Sequence, residues 1–170
     1  DDENYAKINQ CKNFGMSGET LEHAGGNSKM NEFCAAMGLC NLRHIDDAIK
    51  SRKEAVLRYR QNLENVKGIQ LSIVQENVES NYAYFPIVVH PEEFGKNRDD
   101  IINALAKDDI GARKYFYPLT STVGDLNGEY DINDTPVAAK ISERVLCLPL
   151  YEGLGTENVD RICKIIKSLA

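Results

Sequence analysis

One stretch of this sequence restricts the fold more than any other, because it predicts a helix with almost no polar face. The helix is expected to begin at Asn27 or Ser28, since either residue can act as an N-cap, and to continue to Leu39. A helix that is apolar on nearly every side is expected to be buried against other helices or against another subunit. Small residues would let a neighbouring backbone approach closely: Ala35, Ala36 and Gly38.

The order of the other predicted elements indicates an α+β fold. A short helix is expected before Gly15, a loop over 15–26, and a second long helix from residue 45 towards Gly68. Strands are predicted at 69–73, 82–89, 112–117 and 146–148, with Pro86 favouring an edge or a bulge. Three further helices have start signals: Asn97, Thr135 followed by Pro136, and Thr156. Helices followed by alternating strands and helices are typical of an α+β sandwich.

Composition excludes several classes of protein. The formal net charge of −6 argues against nonspecific nucleic-acid binding, because a protein that tracks phosphates needs a basic surface. No apolar run approaches the roughly 20 residues of a membrane-spanning helix. The five cysteines form no Cys-x-x-Cys pair, and no histidine stands at a metal-ligand spacing from another histidine or cysteine. We therefore expect a cytoplasmic protein with reduced, mostly buried cysteines and no zinc site.

Three segments carry a more specific signal than periodicity. The first is the spacing of Gly25, Asn27, Lys29, Met30 and Glu32 ahead of the small-residue helix. The second is 111–119, a predicted strand that leads into a Tyr-Pro-Leu turn, and the third is 142–151, which reads Ser-Glu-Arg-Val-Leu-Cys-Leu-Pro-Leu-Tyr. In content, order and spacing these segments resemble signatures of the DegT/DnrJ/EryC1/StrS family of pyridoxal-phosphate-dependent nucleotide-sugar aminotransferases.

The resemblance implies the C-terminal portion of a fold-type-I enzyme. Residues 1–44 would be the end of the large, cofactor-binding domain with an interface helix, and 45–170 the small α+β domain, an antiparallel-rich sheet packed against helices. Such enzymes form homodimers and move an amino group from glutamate to a keto-sugar on a nucleoside diphosphate, using pyridoxal 5'-phosphate. The variant at Lys29-Met30 and the segment 112–118 resemble members that act on dTDP-4-keto-6-deoxyglucose for surface polysaccharide biosynthesis.

The same resemblance implies roles for five residues. Asn27 would donate an amide hydrogen bond to the cofactor phosphate across the homodimer interface. Lys29, at a position often filled by arginine, would contact substrate or phosphate as a point charge. Tyr115, Phe116 and Tyr117 would line the sugar pocket. Phe116 stands where many relatives carry histidine, which removes a titratable group from that contact.

Each of these residues also has a purely structural interpretation. Asn27 can cap the apolar helix, and Lys29 can be a solvated residue of its first turn. Alternate rings of 115–117 can be core packing. The basic residues of the second long helix are expected on a solvated face, with phosphate contact as the alternative: Lys50, Arg52, Lys53, Arg58 and Arg60.

The catalytic lysine of such an enzyme is expected outside this chain. In the family the Schiff-base lysine precedes the segment that is matched here, and no lysine of this sequence lies in the corresponding motif. The chain alone is therefore expected to hold the cofactor poorly and to supply no catalytic residue. Two alternatives remain open: a relative in which histidine replaces that lysine and the reaction is a dehydration, or a noncatalytic interaction or dimerisation module built on the small-residue helix.

Overall fold

The chain folds into two compact units. The computed structural model describes residues 1–115, 117–122 and 131–170. The N-terminal unit is Asp1–Ile45 and the C-terminal unit is Asp46–Ala170. Within the described residues, no helix combines the length and the apolar character needed to cross a membrane.

The N-terminal unit contains two helices and a small hairpin. Helix α1 (Asp2–Cys11) is capped by Asp1, whose side chain accepts a hydrogen bond from the amide of Asn4. Strands β1 (Met16–Ser17) and β2 (Thr20–Leu21) pair in antiparallel fashion, and helix α2 spans Glu32–Leu42. The hairpin lies where the sequence predicted only a loop, because strands of two residues are too short to show an alternating pattern.

Helix α2 differs from its prediction in both start and burial. It begins at Glu32, and its N-cap is Asn31, whose side chain accepts a hydrogen bond from the amide of Cys34 at 2.9 Å. The prediction that Asn27 or Ser28 begins this helix is therefore wrong. None of its residues is buried within the chain, and Phe33 is 89% exposed. Periodicity reveals that a helix lacks a polar face, but burial also requires a neighbouring surface, and the described residues of this chain leave α2 uncovered.

The C-terminal unit is built on a three-stranded antiparallel sheet in the order β3-β4-β5. Strand β3 is Ile69–Leu71, β4 is Phe85–Val89 and β5 is Val145–Leu148. The helices of this unit are α3 (Ile45–Leu63), α4 (Pro91–Phe94), α5 (Arg98–Ala106), α6 (Pro136–Ser142) and α7 (Thr156–Lys167). Short 3-10 turns occupy Thr120–Thr122 and Ile132–Asp134. This arrangement confirms the predicted α+β class and the antiparallel sheet.

The core lies on one face of the sheet. Phe85, Ile87 and Val89 of β4 are buried, whereas Pro86 and Val88 between them are only half-buried. Helices α3, α5 and α7 cover the buried face with apolar stripes that the sequence predicted. The fully buried members of these stripes include Tyr59, Leu63, Ile101, Leu105, Val159, Cys163 and Ile166.

Tyr59 joins this core to the chain beyond β5. Its ring stacks on that of Phe85, with centroids 4.8 Å apart, and its hydroxyl donates to the carbonyl oxygen of Pro149 at 3.0 Å. Burial raises the pKa of the Tyr59 hydroxyl, so that group remains a neutral donor. The helix that covers the sheet therefore also holds the backbone at Pro149, just beyond β5.

The predicted helix starts of this unit are confirmed with one shift. Asn97 caps α5 and forms a capping box with Asp100. Thr135 is the N-cap of α6, with Pro136 in the first turn, although its side chain makes no capping bond. The cap of α7 is Gly155, so Thr156 is the first helical residue and not the cap.

Pro86 lies in the central strand, which corrects the prediction of an edge or a bulge. Cys147 of β5 directs both of its backbone groups to Arg113, with bonds of 2.8 and 3.1 Å. Cys147 and Pro86 therefore form a non-hydrogen-bonded pair, and the proline nitrogen faces the β3 side. Strand β3 ends there, at the pair Leu71 and Ile87, so no ladder bond is lost.

Of the predicted strand at 112–117, the described residues form one bridge, between Arg113 and Cys147. Local composition favours an extended chain here, but Tyr115 lies in a turn and its amide donates to the carbonyl oxygen of Arg113. The cysteine prediction is correct in part. All five cysteines are free, yet only Cys147 and Cys163 are buried, while Cys34 and Cys40 are exposed.

The basic side of α3 is less solvated than predicted. Arg52 and Arg60 donate to the backbone oxygens of Asn81 and Ser72, at 3.0 and 2.6 Å. Arg58 forms a bidentate pair with Asp160 of α7, both bonds being 2.7 Å long. Hydrogen bonds from Arg58 and then from Asn62 lower the pKa of Asp160 to about 2.

This pair predicts a defined acid sensitivity. The pKa of Asp160 is lowered from 3.8 to about 2 on folding, so its stabilisation is complete above about pH 4 and is lost as the pH falls through 2. In Asp160→Asn, the urea unfolding midpoint should change less across this interval than in the wild type. Arg58→Gln removes the same pair from the other side and should give a smaller flattening, because Asn62 still donates to Asp160. An unchanged pH dependence in both variants would contradict this assignment.

A second prediction concerns Gly68, which adopts φ of +77° and packs on α4. A Cβ at this position would lie 2.4 Å from the backbone nitrogen of Phe94. Gly95 is the matched control, because it has φ of +83° but no atom within 4 Å of such a Cβ. Gly95→Ala should cost ~1–2 kcal/mol of unfolding free energy from backbone strain. Gly68→Ala should cost ~1–3 kcal/mol more from the added clash, and equal losses in urea titrations would show that Phe94 yields easily.

Candidate functional site

The segment around Asn27 is held by the backbone that follows α1. The amides of Gly26 and Ser28 donate to the carbonyl oxygens of Cys11 and Lys12, each at 3.0 Å. Asn27 itself forms an antiparallel bridge with Asn13. Backbone pairing alone therefore fixes this short segment, although its side chains are exposed.

Gly25 is required for this pairing because the two backbones touch. A Cβ on Gly25 would lie 2.3 Å from the nitrogen of Gly15 and 2.5 Å from the carbonyl oxygen of Cys11. Both distances are far shorter than any contact that a side chain tolerates. The structure thus gives a steric reason for the glycine that opens the first sequence signature.

Asn27 and Lys29 lie side by side on this segment. The ammonium of Lys29 donates to the side-chain oxygen of Asn27 at 3.2 Å and lies 4.8 Å from the ring centroid of Phe14. Within the described part of the chain, no carboxylate forms an ion pair with Lys29. The amide NH2 of Asn27, the hydroxyl of Ser28 and the remaining protons of Lys29 are left as donors. Such a set suits an anion with several acceptor oxygens.

The structure separates the predicted aromatic residues. Tyr115 lines a cavity beside β5, whereas the ring of Tyr117 lies over two cations, 5.3 Å from the guanidinium carbon of Arg98 and 5.8 Å from the ammonium of Lys114. Phe116 lies outside the described residues. Tyr115 and Tyr117 therefore have different surroundings, which the sequence did not predict.

The cavity beside β5 has a volume of about 350 Å³. The rings of Tyr84 and Tyr115 meet edge to face in it, with centroids 5.5 Å apart and planes at 84°. The guanidinium of Arg113 lies 5.9 Å from the Tyr115 ring and donates to its hydroxyl at 3.4 Å. Burial raises the pKa of the Cys147 thiol, which also lines the cavity. The remaining lining includes Pro149, Leu150 and Tyr151.

Three of these lining residues were not identified as site residues from the sequence. Arg113 and Tyr151 belong to the second and third signature segments, so their position there was the available signal. Tyr84 lies just before β4, and nothing in the sequence distinguishes it from a core aromatic residue.

The ring of Tyr117 packs against the guanidinium of a buried arginine, Arg98. Arg98 is 6% exposed and donates to the carbonyl oxygens of Ser142 and Val145. Lys114 forms an ion pair with Asp99 at 2.7 Å, and its hydrogen bond lowers the pKa of that carboxyl. The Tyr117 ring thus lies on a fixed, positively charged base while more than half of it remains exposed.

Comparison with known proteins agrees with these motifs. The model of the DegT/DnrJ/EryC1/StrS aminotransferase family matches residues 1–167. The chain belongs to this family. The predicted family is therefore confirmed, and with it the expectation of a fold shared with pyridoxal-phosphate-dependent aminotransferases.

Individual relatives agree with the family match. The chain is 39% identical over 163 residues to the dTDP-4-amino-4,6-dideoxy-D-glucose transaminase of Escherichia coli, which covers 94% of this chain and 44% of that protein. It superposes on DesV from S. venezuelae with a TM-score of 0.87 at 20% identity, over 99% of this chain and 44% of that one. It also matches the PLP form of Spr1654 from Streptococcus pneumoniae, with a TM-score of 0.82 at 25% identity, over 99% and 43% of the two chains. The chain thus spans less than half the length of these relatives.

The donors at residues 27–29 fit the phosphate of pyridoxal phosphate. A phosphate monoester presents only acceptor oxygens and carries about two negative charges. Asn27, Ser28 and Lys29 present amide, hydroxyl and ammonium donors, with no carboxylate paired to Lys29 in the described chain. These residues would hold one side of that phosphate.

The role of Gly25 can be tested against its neighbour. Gly25→Ala should break the backbone pairing that holds Asn27, whereas Gly26→Ala is the matched control, because a Cβ there meets nothing within 4 Å. We expect the hydrogen-exchange protection of the Ser28 amide to fall about tenfold or more in Gly25→Ala only, as a clash of ~1–3 kcal/mol implies. Similar exchange rates in both variants would show that the backbone contact is not required.

Proposed function

We propose that this chain is part of a cytoplasmic nucleotide-sugar aminotransferase. The proposed reaction moves an amino group from glutamate to dTDP-4-keto-6-deoxyglucose, for the biosynthesis of a surface polysaccharide. The family match and the 39% identity to a dTDP-sugar transaminase carry this proposal. Because the chain spans 44% of that relative, the activity belongs to the complete gene product.

In this proposal the N-terminal unit belongs to the large domain, with a boundary near residue 44, and serves a homodimer. Asn27 would donate its amide NH2 to the cofactor phosphate of the partner subunit. The exposed apolar surface of α2 supports association, since Phe33, Met37 and Leu42 are 89%, 63% and 68% exposed. The Schiff-base lysine is assigned to a part of the protein outside this chain.

Pyridoxal phosphate, when bound, acts as the electron sink for amino-group transfer. The residues of this chain would bind and orient the cofactor and the substrate. Lys29 is placed next to Asn27 at 3.2 Å, so its charge lies beside the phosphate donor. It would hold an anionic group of the cofactor or of the substrate, with less directionality than an arginine.

The C-terminal unit is proposed to hold the sugar nucleotide. Tyr117 is 53% exposed above Arg98 and Lys114, so its hydroxyl is available to a sugar hydroxyl or phosphate. Tyr115 lines the cavity beside β5. Phe116, between them, is proposed to contact the same substrate through apolar surface.

The test is an assay of the complete gene product. With glutamate and dTDP-4-keto-6-deoxyglucose it should form 2-oxoglutarate and an amino sugar. Lys29→Ala should raise KM for the sugar nucleotide or the requirement for cofactor about tenfold, the loss of one charge-assisted contact. Lys53→Ala, an exposed lysine of α3, is the control and should change neither quantity.

Two outcomes would count against the proposal. A product that has lost water instead of gaining an amino group would support the dehydratase alternative. A folded, dimeric gene product without either activity would support the interaction module, which the exposed face of α2 favours.

A further inference from the structure

We infer that Arg98 is a positioning residue for Tyr117. It anchors the Tyr117 ring to the core of the C-terminal unit and thereby fixes where the hydroxyl meets the sugar. The inference rests on the proposed function for the contact between Tyr117 and the substrate. Its geometry involves the C-terminal unit alone, because both residues and the groups that hold them belong to that unit.

The burial of Arg98 is unusual for a charged side chain. Within the described residues it is the one charged side chain that is buried. A buried guanidinium costs free energy unless hydrogen bonds and an opposite charge compensate for the lost water. The compensation here is incomplete. Nε has no hydrogen-bond partner, and the carboxylate of Asp99, 3.5 Å away, is itself more than half exposed.

The place of Arg98 in α5 is also unfavourable for a cation. Arg98 is the first residue of the helix, where the positive end of the helix dipole favours acidic residues instead. The cap does not need its side chain, since Asn97 accepts the hydrogen bonds from the amides of Asp99 and Asp100. Such local conflicts with stability concentrate at functional sites. A contact made by Arg98 therefore explains it better than the stability of α5 does.

Arg98 connects three parts of the unit. Its Nη1 donates to the carbonyl oxygens of Ser142, the last residue of α6, and of Val145, the first residue of β5. The free carbonyls at the end of α6 carry partial negative charge, which suits a cation. The guanidinium carbon lies 5.3 Å from the ring centroid of Tyr117. Because residues of α5 and β5 belong to the core, Arg98 links Tyr117 to that core.

Tyr117 lies in a segment without regular structure, so its side-chain contacts decide where it points. Residue 117 belongs to no helix or strand. In the described part of the chain its ring contacts two cations, Arg98 and Lys114. Lys114 is held in turn by Asp99, the neighbour of Arg98, at 2.7 Å. A ring that is ordered before the sugar arrives loses less conformational entropy on binding.

The test uses the complete gene product and measures kcat/KM for each substrate. Arg98→Met keeps an apolar stem but removes the cation and its hydrogen bonds. We expect it to lower kcat/KM for dTDP-4-keto-6-deoxyglucose about tenfold, the loss of one well-placed contact, and to leave kcat/KM for glutamate unchanged. Arg161→Met is the matched control. Arg161 is an exposed arginine of the same unit that pairs with Asp108, so its loss should change neither value.

A double variant shows whether Arg98 acts through Tyr117. Tyr117→Phe keeps the ring and removes only the hydroxyl that is to meet the sugar. In that background Arg98→Met should cause no further loss, because the group that it positions is already absent. Losses that multiply in the double variant would overturn the inference.

Arg98→Lys is the conservative variant. It retains a cation beside the ring but not the planar guanidinium, so kcat/KM for the sugar nucleotide should fall only about threefold. If Arg98→Met does not fold, Arg98→Lys takes its place in the double variant. A loss in Arg98→Lys that persists unchanged in the Tyr117→Phe background would then overturn the inference.

A measurement without substrate separates this inference from the proposed function. The tyrosine ring signals of the 170-residue chain are recorded by NMR with isotope-labelled tyrosine, and Tyr117 is assigned through Tyr117→Phe. In Arg98→Met, or in Arg98→Lys, the Tyr117 signals should move more than those of the other tyrosines. If they move and the gene product transfers no amino group, Arg98 still positions Tyr117 and the aminotransferase is rejected. If they stay in place, the inference is overturned even for an active enzyme.

Discussion

The C-terminal unit depends on burying one face of a three-stranded sheet under three helices. Phe85, Ile87 and Val89 supply that face, and Tyr59 covers it from α3. The hydroxyl of Tyr59 links this core to the chain beyond β5, because it donates a hydrogen bond to the carbonyl oxygen of Pro149 at 3.0 Å. The cavity wall at 149–151 and the bridge that orients Arg113 both follow from this packing. The core of this unit and the cavity beside β5 thus depend on the same packing.

The N-terminal unit is organised by a different principle. Gly15 is the one residue of 1–45 that is buried, so this unit has no apolar core of its own. Its order comes from backbone pairing at Gly25–Ser28 and from helix caps at Asp1 and Asn31. The apolar surface of α2 remains exposed, which is the expected condition of a segment whose stability depends on a further protein surface.

Local chemistry explains most of what could be predicted. The capping box at Asn97, the cap at Thr135 and the apolar stripes of α3, α5 and α7 depend on neighbours within a few residues, so their patterns are visible in the sequence. The incorrect predictions concern features that depend on residues distant in sequence. Pro86 is accepted in a central strand because β3 stops one residue earlier, and in the described part of 112–117 the pairing with β5 is limited to Arg113, which local composition does not predict. Arg58 on the basic side of α3 pairs with Asp160, which is 102 residues away in sequence.

The sequence by itself determined the family and the class of fold, because the content and spacing of the three signature segments can be compared residue by residue. It also brought Asn27 and Lys29 together, since they are two residues apart on one backbone segment. Only the tertiary structure decided that Tyr115 and Tyr117 have separate surroundings and that Tyr84 joins Arg113 in one cavity. Those choices depend on how β4, β5 and the chain after α5 are arranged in space, and no local pattern records a contact between residues so far apart.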